Sequence, residues 1–99
     1  MVAFLEAKKW FIESLKPKLD EIYEVKVIDQ KGGDLGDVAG LQFDNDQRGG
    51  YAYIWSNGFA SYQLVDYVKG VELIEDTTEE VSDCACNEIF FKVIDKLGI

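Results

Sequence analysis

The 99-residue chain has no histidine, one proline and two cysteines, and it has only 10 basic residues against 19 acidic ones. Without histidine, an enzyme would need carboxylates, tyrosine, lysine or an activated cysteine as its acid and base. No such groups occur at a recognisable catalytic spacing, and Cys84-Ala85-Cys86 without histidine gives no zinc set. The sequence therefore predicts no catalytic residues, no metal site and no cofactor.

The chain also lacks a long apolar run. No stretch approaches the roughly 20 apolar residues that cross a bilayer. Glu6, Lys8 and Lys9 interrupt the segment that would be uniformly apolar in a signal peptide. We therefore expect a cytoplasmic protein that contacts no membrane. Cys84 and Cys86 are two positions apart in a predicted helix, where their side chains would not face each other, so no disulfide between them is expected.

Negative charge dominates the composition. The net charge of −9 would repel a phosphate backbone, so nucleic-acid binding is not expected, whereas a basic protein would be attracted. Solubility alone would also explain an acidic surface. Apolar residues make up 47% of the chain, which is ample for one packed core, and 99 residues leave no room for a second. We expect a single domain over residues 1–99, monomeric or weakly dimeric.

Helical periodicity is present near both ends of the chain. Apolar residues recur every three or four positions over residues 2–22, and Pro17 predicts a break near Ser14 to Lys16. A second helix is predicted from Thr77, because Thr77 and Glu80 have the spacing of a capping box, to a stop at Gly98.

Alternating apolar and polar residues between the two helices predict β-strands. In the second strand, Ala39, Leu41 and Phe43 should point to the core, and Gly40 and Gln42 outward. The predicted strands cover residues 24–29, 38–44, 51–55, 59–67 and 71–75. The fold class expected is α+β, an antiparallel four- or five-stranded meander sheet with an N-terminal and a C-terminal helix packed on one face.

Residues 49–67, GGYAYIWSNGFASYQLVDY, contain six aromatic side chains and allow two hairpin registers. A two-residue turn at Asn57-Gly58 would place Tyr51, Tyr53 and Trp55 on the face that forms the core. Because aromatic residues in strands mainly serve to pack, we expect this core arrangement.

The alternative is a three-residue loop with Gly58 in the left-handed conformation. Ile54 would then pair with Ala60, and the three rings would share the opposite face with Ser61 and Gln63. Tyrosine and tryptophan exposed in this way are enriched at protein interfaces. The two registers therefore predict different functions for the same side chains.

The order of motifs carries a family resemblance. A helix bearing tryptophan and phenylalanine precedes YEVKVID and GGYAYIWSNGFASYQLVDYVKGVEL. The distinctive parts are the turn Trp55-Ser56-Asn57-Gly58, then Leu64-Val65-Asp66, then the turn Lys69-Gly70-Val71-Glu72. This arrangement resembles the immunity proteins of bacterial polymorphic-toxin and contact-dependent inhibition systems, and it is most similar to the TriTu family. The resemblance implies a non-catalytic protein that binds and inhibits the catalytic domain of a cognate toxin.

An acidic inhibitor would be steered to the basic active-site surface of a toxin that cleaves nucleic acid. We expect the partner-binding residues to be Asp34, Asp37, Asp44, Asp46, Tyr51, Tyr53, Trp55, Glu75, Asp76, Glu79 and Glu80.

Two other functions are compatible with the sequence. An acidic phage or mobile-element inhibitor that mimics DNA would have a row of carboxylates at phosphate-like spacing. A small-ligand-binding domain would have a deep apolar pocket beneath the sheet.

Overall fold

The fold is an antiparallel sheet with helices before and after it in sequence. A computed structural model describes residues 4–33, 36–80 and 86–98. The five strands of the sheet lie side by side in the order in which they occur in the sequence, which confirms the predicted α+β meander. Among the described residues, no helix is long and apolar enough to cross a membrane. The elements are α1 (Phe4–Trp10), a π-helical turn (Phe11–Leu15), α2 (Lys16–Asp20), β1 (Glu24–Gly33), β2 (Gly36–Asp44), β3 (Arg48–Trp55), β4 (Phe59–Asp66), β5 (Val71–Glu80), α3 (Cys86–Ile89) and α4 (Phe91–Leu97).

The first helical segment is interrupted just before Pro17. The π-helical turn overlaps the predicted break, and the Lys16 N–H donates to the carbonyl of Phe11, five residues back. Proline has no N–H with which to continue the usual i to i−4 pattern. The helix absorbs this loss by widening one turn, and Pro17 then lies in the first turn of α2.

The prediction of a helix start at Thr77 was wrong. Thr77 and Glu80 belong to β5, where Thr77 pairs with Tyr62 and Glu80 with Phe59 of β4. The Thr77 hydroxyl donates to the carbonyl of Glu75 at 2.7 Å instead of capping a helix. Pairing with β4 satisfies the backbone along this segment, and this non-local interaction overrides the local capping pattern.

The helices pack on one face of the sheet, and the core lies between the helices and that face. Phe90, just before α4, is fully buried; its ring is 5.8 Å from Trp10, 5.3 Å from Phe11 and 6.1 Å from Tyr62. The inward residues of the sheet are those that alternation predicted in β2, together with their partners in β3 and β4: Ala39, Leu41, Phe43, Ala52, Ile54, Ala60, Tyr62 and Leu64. The last helix ends at Gly98, as predicted, in the left-handed conformation with φ 72°.

The hairpin between β3 and β4 adopts the three-residue loop. Ile54 pairs with Ala60 and Trp55 with Phe59, and Gly58 has φ 91°. The expectation that Tyr51, Tyr53 and Trp55 belong to the core was therefore wrong. The left-handed glycine sets the register, and a shift of one residue moves every side chain to the other face.

Candidate functional site

The face of the sheet opposite the helices is the open face, and it carries the aromatic side chains that the hairpin register turns away from the core. Tyr51, Tyr53, Trp55 and Phe59 are half-buried there. The rings of Tyr51 and Tyr53 meet edge to face, with centroids 4.6 Å apart. The open face is thus an aromatic surface that the described helices do not cover.

A shallow groove of about 840 Å³ runs across the open face. Its most exposed ring is Tyr67, which follows β4 and has half of its surface accessible. We call this feature the tyrosine groove. Its outward-pointing lining residues are Glu24, Lys26, Gln42, Asp44, Gly49, Tyr51, Tyr53, Gln63, Val65 and Tyr67.

Hydrogen bonds hold two of the tyrosines in place. The Tyr51 hydroxyl donates to the Asp76 carboxylate on β5, and the Gln42 side-chain amide donates to the Tyr53 hydroxyl at 2.6 Å. Burial raises the pKa of Tyr53, although the hydrogen bond from Gln42 acts to lower it. The phenol therefore stays protonated and can itself donate a hydrogen bond.

Gly40 and Gly49 lie directly beneath the rings of Tyr53 and Tyr67. A β-carbon at Gly40 would approach Cδ1 of Tyr53 to 2.8 Å, and one at Gly49 would approach Cζ of Tyr67 to 2.7 Å. A side chain at either position would collide with the ring above it. The absence of a side chain thus lets Tyr53 and Tyr67 lie against the backbone of the neighbouring strands.

A series of side-chain hydrogen bonds links β3, β4 and β5 on the open face, outside the tyrosine groove. The indole N–H of Trp55 donates to the Ser61 hydroxyl at 3.2 Å, and the Ser61 hydroxyl lies 2.9 Å from that of Thr78. Ser61 is buried, so these contacts satisfy its hydroxyl. They also anchor the indole on the sheet.

The predicted acidic residues do not form one cluster. Asp44 ends β2 and Asp46 is in the following loop, whereas Asp37 lies at the opposite end of β2, roughly 23 Å away at strand rise. The Asp37 N–H donates to the Ser56 hydroxyl at 2.8 Å, beside the hairpin loop. The prediction at Asp34 falls outside the described residues, as does that at Cys84.

The remaining predicted carboxylates lie along the edge strand β5 and not at a helix start. Five acidic residues are spread over Glu72 to Glu80, a length of roughly 26 Å at strand rise. One strand of B-DNA carries about eight phosphates over that length. The charge of β5 is therefore sparser than that of DNA, and alternate residues point to opposite faces, which disfavours the DNA-mimic alternative.

The tyrosine groove continues into an exposed apolar tip. Tyr67 and Val68 are exposed in the turn between β4 and β5, and Val71 is exposed at the start of β5. The carboxylate of Asp66 holds this turn by accepting the N–H groups of Val68 at 3.0 Å and Lys69 at 3.1 Å. The groove and tip together give the surface a mixed aromatic, apolar and acidic character.

Sequence reasoning identified Tyr51, Tyr53 and Asp44 but missed Tyr67 and Glu24 of the groove. The sequence signal that could identify the open face was the alternation along the strands, in which glutamines and glycines occupy the positions between core residues. Polar outward residues marked the open face, but nothing in the sequence showed that Tyr67 folds back over Gly49. The interior beneath the sheet is filled by large side chains such as Phe11, Phe90 and Leu41, which counts against the deep apolar pocket expected there for a small-ligand-binding domain. The tyrosine groove lies on the opposite face.

Comparisons of the chain with protein-family models, with curated proteins and with solved structures find no match. Within residues 4–33, 36–80 and 86–98, no group of three or more histidine, cysteine or carboxylate residues could hold a metal ion.

Proposed function

We propose that the chain binds a protein through the open face of its sheet, and that this partner is the cognate toxin of a bacterial toxin–immunity pair. The observation that carries the proposal is the half-buried row of Tyr51, Tyr53 and Trp55 on a face that the described helices leave uncovered. Tyrosine and tryptophan supply large contact areas with polar ends and are enriched in protein interfaces. The resemblance to immunity proteins supports the choice of partner.

The charge of the chain supports a partner with a basic surface. With a net charge of −9, the protein would attract a positively charged toxin domain over several ångströms and raise the association rate. Seated over a nucleic-acid-cleaving site, it would exclude the phosphate substrate without any chemistry of its own. The protein would act in the cytoplasm of the cell that makes the toxin.

Capture of the partner at two salt concentrations tests this function. The chain would be used to bind the product of the adjacent gene, at low and at high salt, and the toxin would be expressed in cells with and without the chain. We expect one-to-one binding that slows in high salt, and survival only where the chain is present. Unimpaired survival of toxin-expressing cells without the chain, or no binding at either salt concentration, would reject the proposal.

Two matched variants test the face. Tyr67 on the open face is 50% exposed and Phe91 on the helical face is 62% exposed, so alanine at either position removes an aromatic ring that is not in the core. We expect Tyr67→Ala to weaken partner binding about tenfold or more, as truncation of an interface aromatic does. Phe91→Ala should leave binding unchanged. Equal effects would show that the open face is not the binding face.

A small ligand is the second candidate, and the tyrosine groove favours it. A volume of about 840 Å³ lies within the range of ligand sites, and the groove combines rings with amide and carboxylate groups. Native mass spectrometry of the protein purified from its own cells would detect a retained compound. The mass of the bare chain, together with one-to-one capture of a protein, would exclude this candidate.

A further inference from the structure

We propose that the tyrosine groove receives an arginine side chain of the protein partner. The inference rests on the proposed function for the existence of that partner, and the groove itself supplies the chemistry. The groove is lined by three tyrosine rings, two carboxylates and two side-chain amides. One lysine is the basic residue among its lining residues. This combination is complementary to a flat cation that donates hydrogen bonds in several directions.

The rings provide the first part of the recognition. Tyr51 and Tyr53 stand at 79° to each other, so their planes form a corner on the open face. Tyr67 lies over Gly49, two residues before Tyr51 along β3, and also lines the groove. Guanidinium groups stack on tyrosine faces through dispersion and cation–π attraction more readily than ammonium groups do.

Hydrogen-bond acceptors provide the second part. Glu24 and Asp44 are paired across β1 and β2, and both are exposed. In the described part of the chain, neither carboxylate has a lysine or arginine nitrogen within 4.0 Å. Gln42 uses its N–H₂ group on Tyr53, which leaves its carbonyl oxygen as an acceptor. A guanidinium, which has five N–H donors and no acceptor, matches this set.

Lys26 limits what the groove can accept. It lies between Glu24 and Ile28 along β1 and pairs with Gln42, so its ammonium group is on the same face as the two carboxylates. It offsets one of the two negative charges, so the lining keeps one net negative charge, which lies at the Glu24 and Asp44 pair. The groove therefore suits one guanidinium near Asp44, while an anionic ligand would meet two carboxylates.

Three capped tripeptides test the inference by NMR titration of the labelled protein: acetyl-Gly-Arg-Gly-amide, its lysine analogue and its citrulline analogue. Citrulline keeps the shape of arginine but removes the charge. We expect the arginine peptide to shift backbone signals of Gly49, Tyr51 and Tyr67, with a dissociation constant about threefold lower than that of the lysine peptide. The citrulline peptide should cause no comparable shifts.

Two variants that each remove one negative charge distinguish binding in the groove from attraction to the overall negative charge of the protein. Asp44→Asn removes a carboxylate from the groove, and Asp95→Asn removes an exposed one from α4 on the helical face. We expect Asp44→Asn to weaken the arginine peptide at least about threefold and Asp95→Asn to leave it unchanged. Equal effects of the two variants, equal binding of the arginine and lysine peptides, or shifts spread over the whole surface would overturn the inference.

The same measurements distinguish the inference from the function on which it rests. If Tyr67→Ala abolishes toxin binding but the arginine peptide does not bind the groove, the function stands and the inference fails. If the peptide binds the groove selectively while no toxin is captured, the groove recognises arginine but the proposed function fails. Signals of the groove that move with protein concentration alone would assign the groove to a second copy of the chain and overturn the arginine proposal.

Discussion

The ring of Tyr53 lies over Gly40, at a distance that leaves no room for a side chain between them. A β-carbon at position 40 would lie 2.8 Å from both Cδ1 and Cα of Tyr53, and it would also collide with the carbonyl oxygen of Ala52. Only glycine therefore fits at position 40, where β2 lies against β3 and the Tyr53 ring of the tyrosine groove.

We expect Gly40→Ala to destabilise the protein by about 1–3 kcal/mol, because the added methyl group overpacks a rigid backbone contact. Urea denaturation would give the change in the free energy of unfolding. Repeating the substitution in a Tyr53→Ala background should reduce the cost, since the ring atom Cδ1, one of the three colliding atoms, is then absent. An equal cost in both backgrounds would assign the effect to the two backbone atoms, the Ala52 carbonyl oxygen and the Tyr53 Cα.

Trp55→Ala should cost much less stability than Phe90→Ala. Phe90 is fully buried among three rings, and its truncation should remove about 3–5 kcal/mol. Trp55 is half-buried on the open face, and we expect a loss of about 1–2 kcal/mol, including its hydrogen bond to Ser61. Thermal or urea denaturation of both variants would check this order, and similar losses would place the indole in a core.

Asp66 should stabilise the turn through one carboxylate oxygen. Because Oδ1 accepts two backbone N–H groups, Asp66→Ala should cost about 1–2 kcal/mol. Asparagine keeps an oxygen at that position, so Asp66→Asn should cost less than Asp66→Ala, although it removes the charge that strengthens both hydrogen bonds of this buried side chain. Denaturation curves for the pair would separate the hydrogen bonds from the charge, and a large loss in Asp66→Asn would mean that the charge itself matters.

Alkaline conditions should destabilise the protein through Tyr62. Burial, the nearby negative charge of Glu79 and the hydrogen bond to Glu79 all raise the pKa of Tyr62 above its ordinary value of 10.0. As the pH rises above about 10, Tyr62 loses its proton in the unfolded chain at a lower pH than in the folded chain. The free energy of unfolding should therefore fall as the pH rises from about 10 through the folded-state pKa, whereas below 10 this contribution is complete.

Tyr62→Phe removes this titration and provides the control. We expect the phenylalanine variant to lose less stability than the native chain between about pH 9.5 and 11, measured by urea denaturation at each pH. Parallel pH dependence in the two proteins would show that Tyr62 does not control alkaline unfolding.

Sequence patterns predicted the fold where the signals were local and repeated. Alternation in β2 identified Leu41 and Phe43 as core, and the three-or-four spacing placed the first helix with its break near Pro17. At Thr77 the same kind of local signal failed, because β4 offered backbone partners that no capping pattern reveals. The position of the rings depended on one left-handed residue, Gly58, whose conformation decides the register.

The candidate site was less accessible from sequence than the fold. Tyr51, Tyr53 and Asp44 were predicted, but the groove needs Tyr67 to fold back over Gly49, a contact between residues 18 positions apart. Carboxylates that look equivalent in the sequence separate to opposite ends of β2 once the strand is extended. Charge composition therefore could not show which acidic residues lie close together in the fold.

The order of the strands also determines how the chain can reach this structure. Every strand pairs with its neighbour in sequence, so each pairing closes only a short loop and can form early. The stack of Trp10 on Phe90 joins residues 80 positions apart and requires a much larger loss of chain entropy. We expect the hairpins to form first and the helices to dock late. Substitutions at Ala60 should then slow folding, whereas Trp10→Ala should mainly accelerate unfolding, which stopped-flow kinetics would resolve.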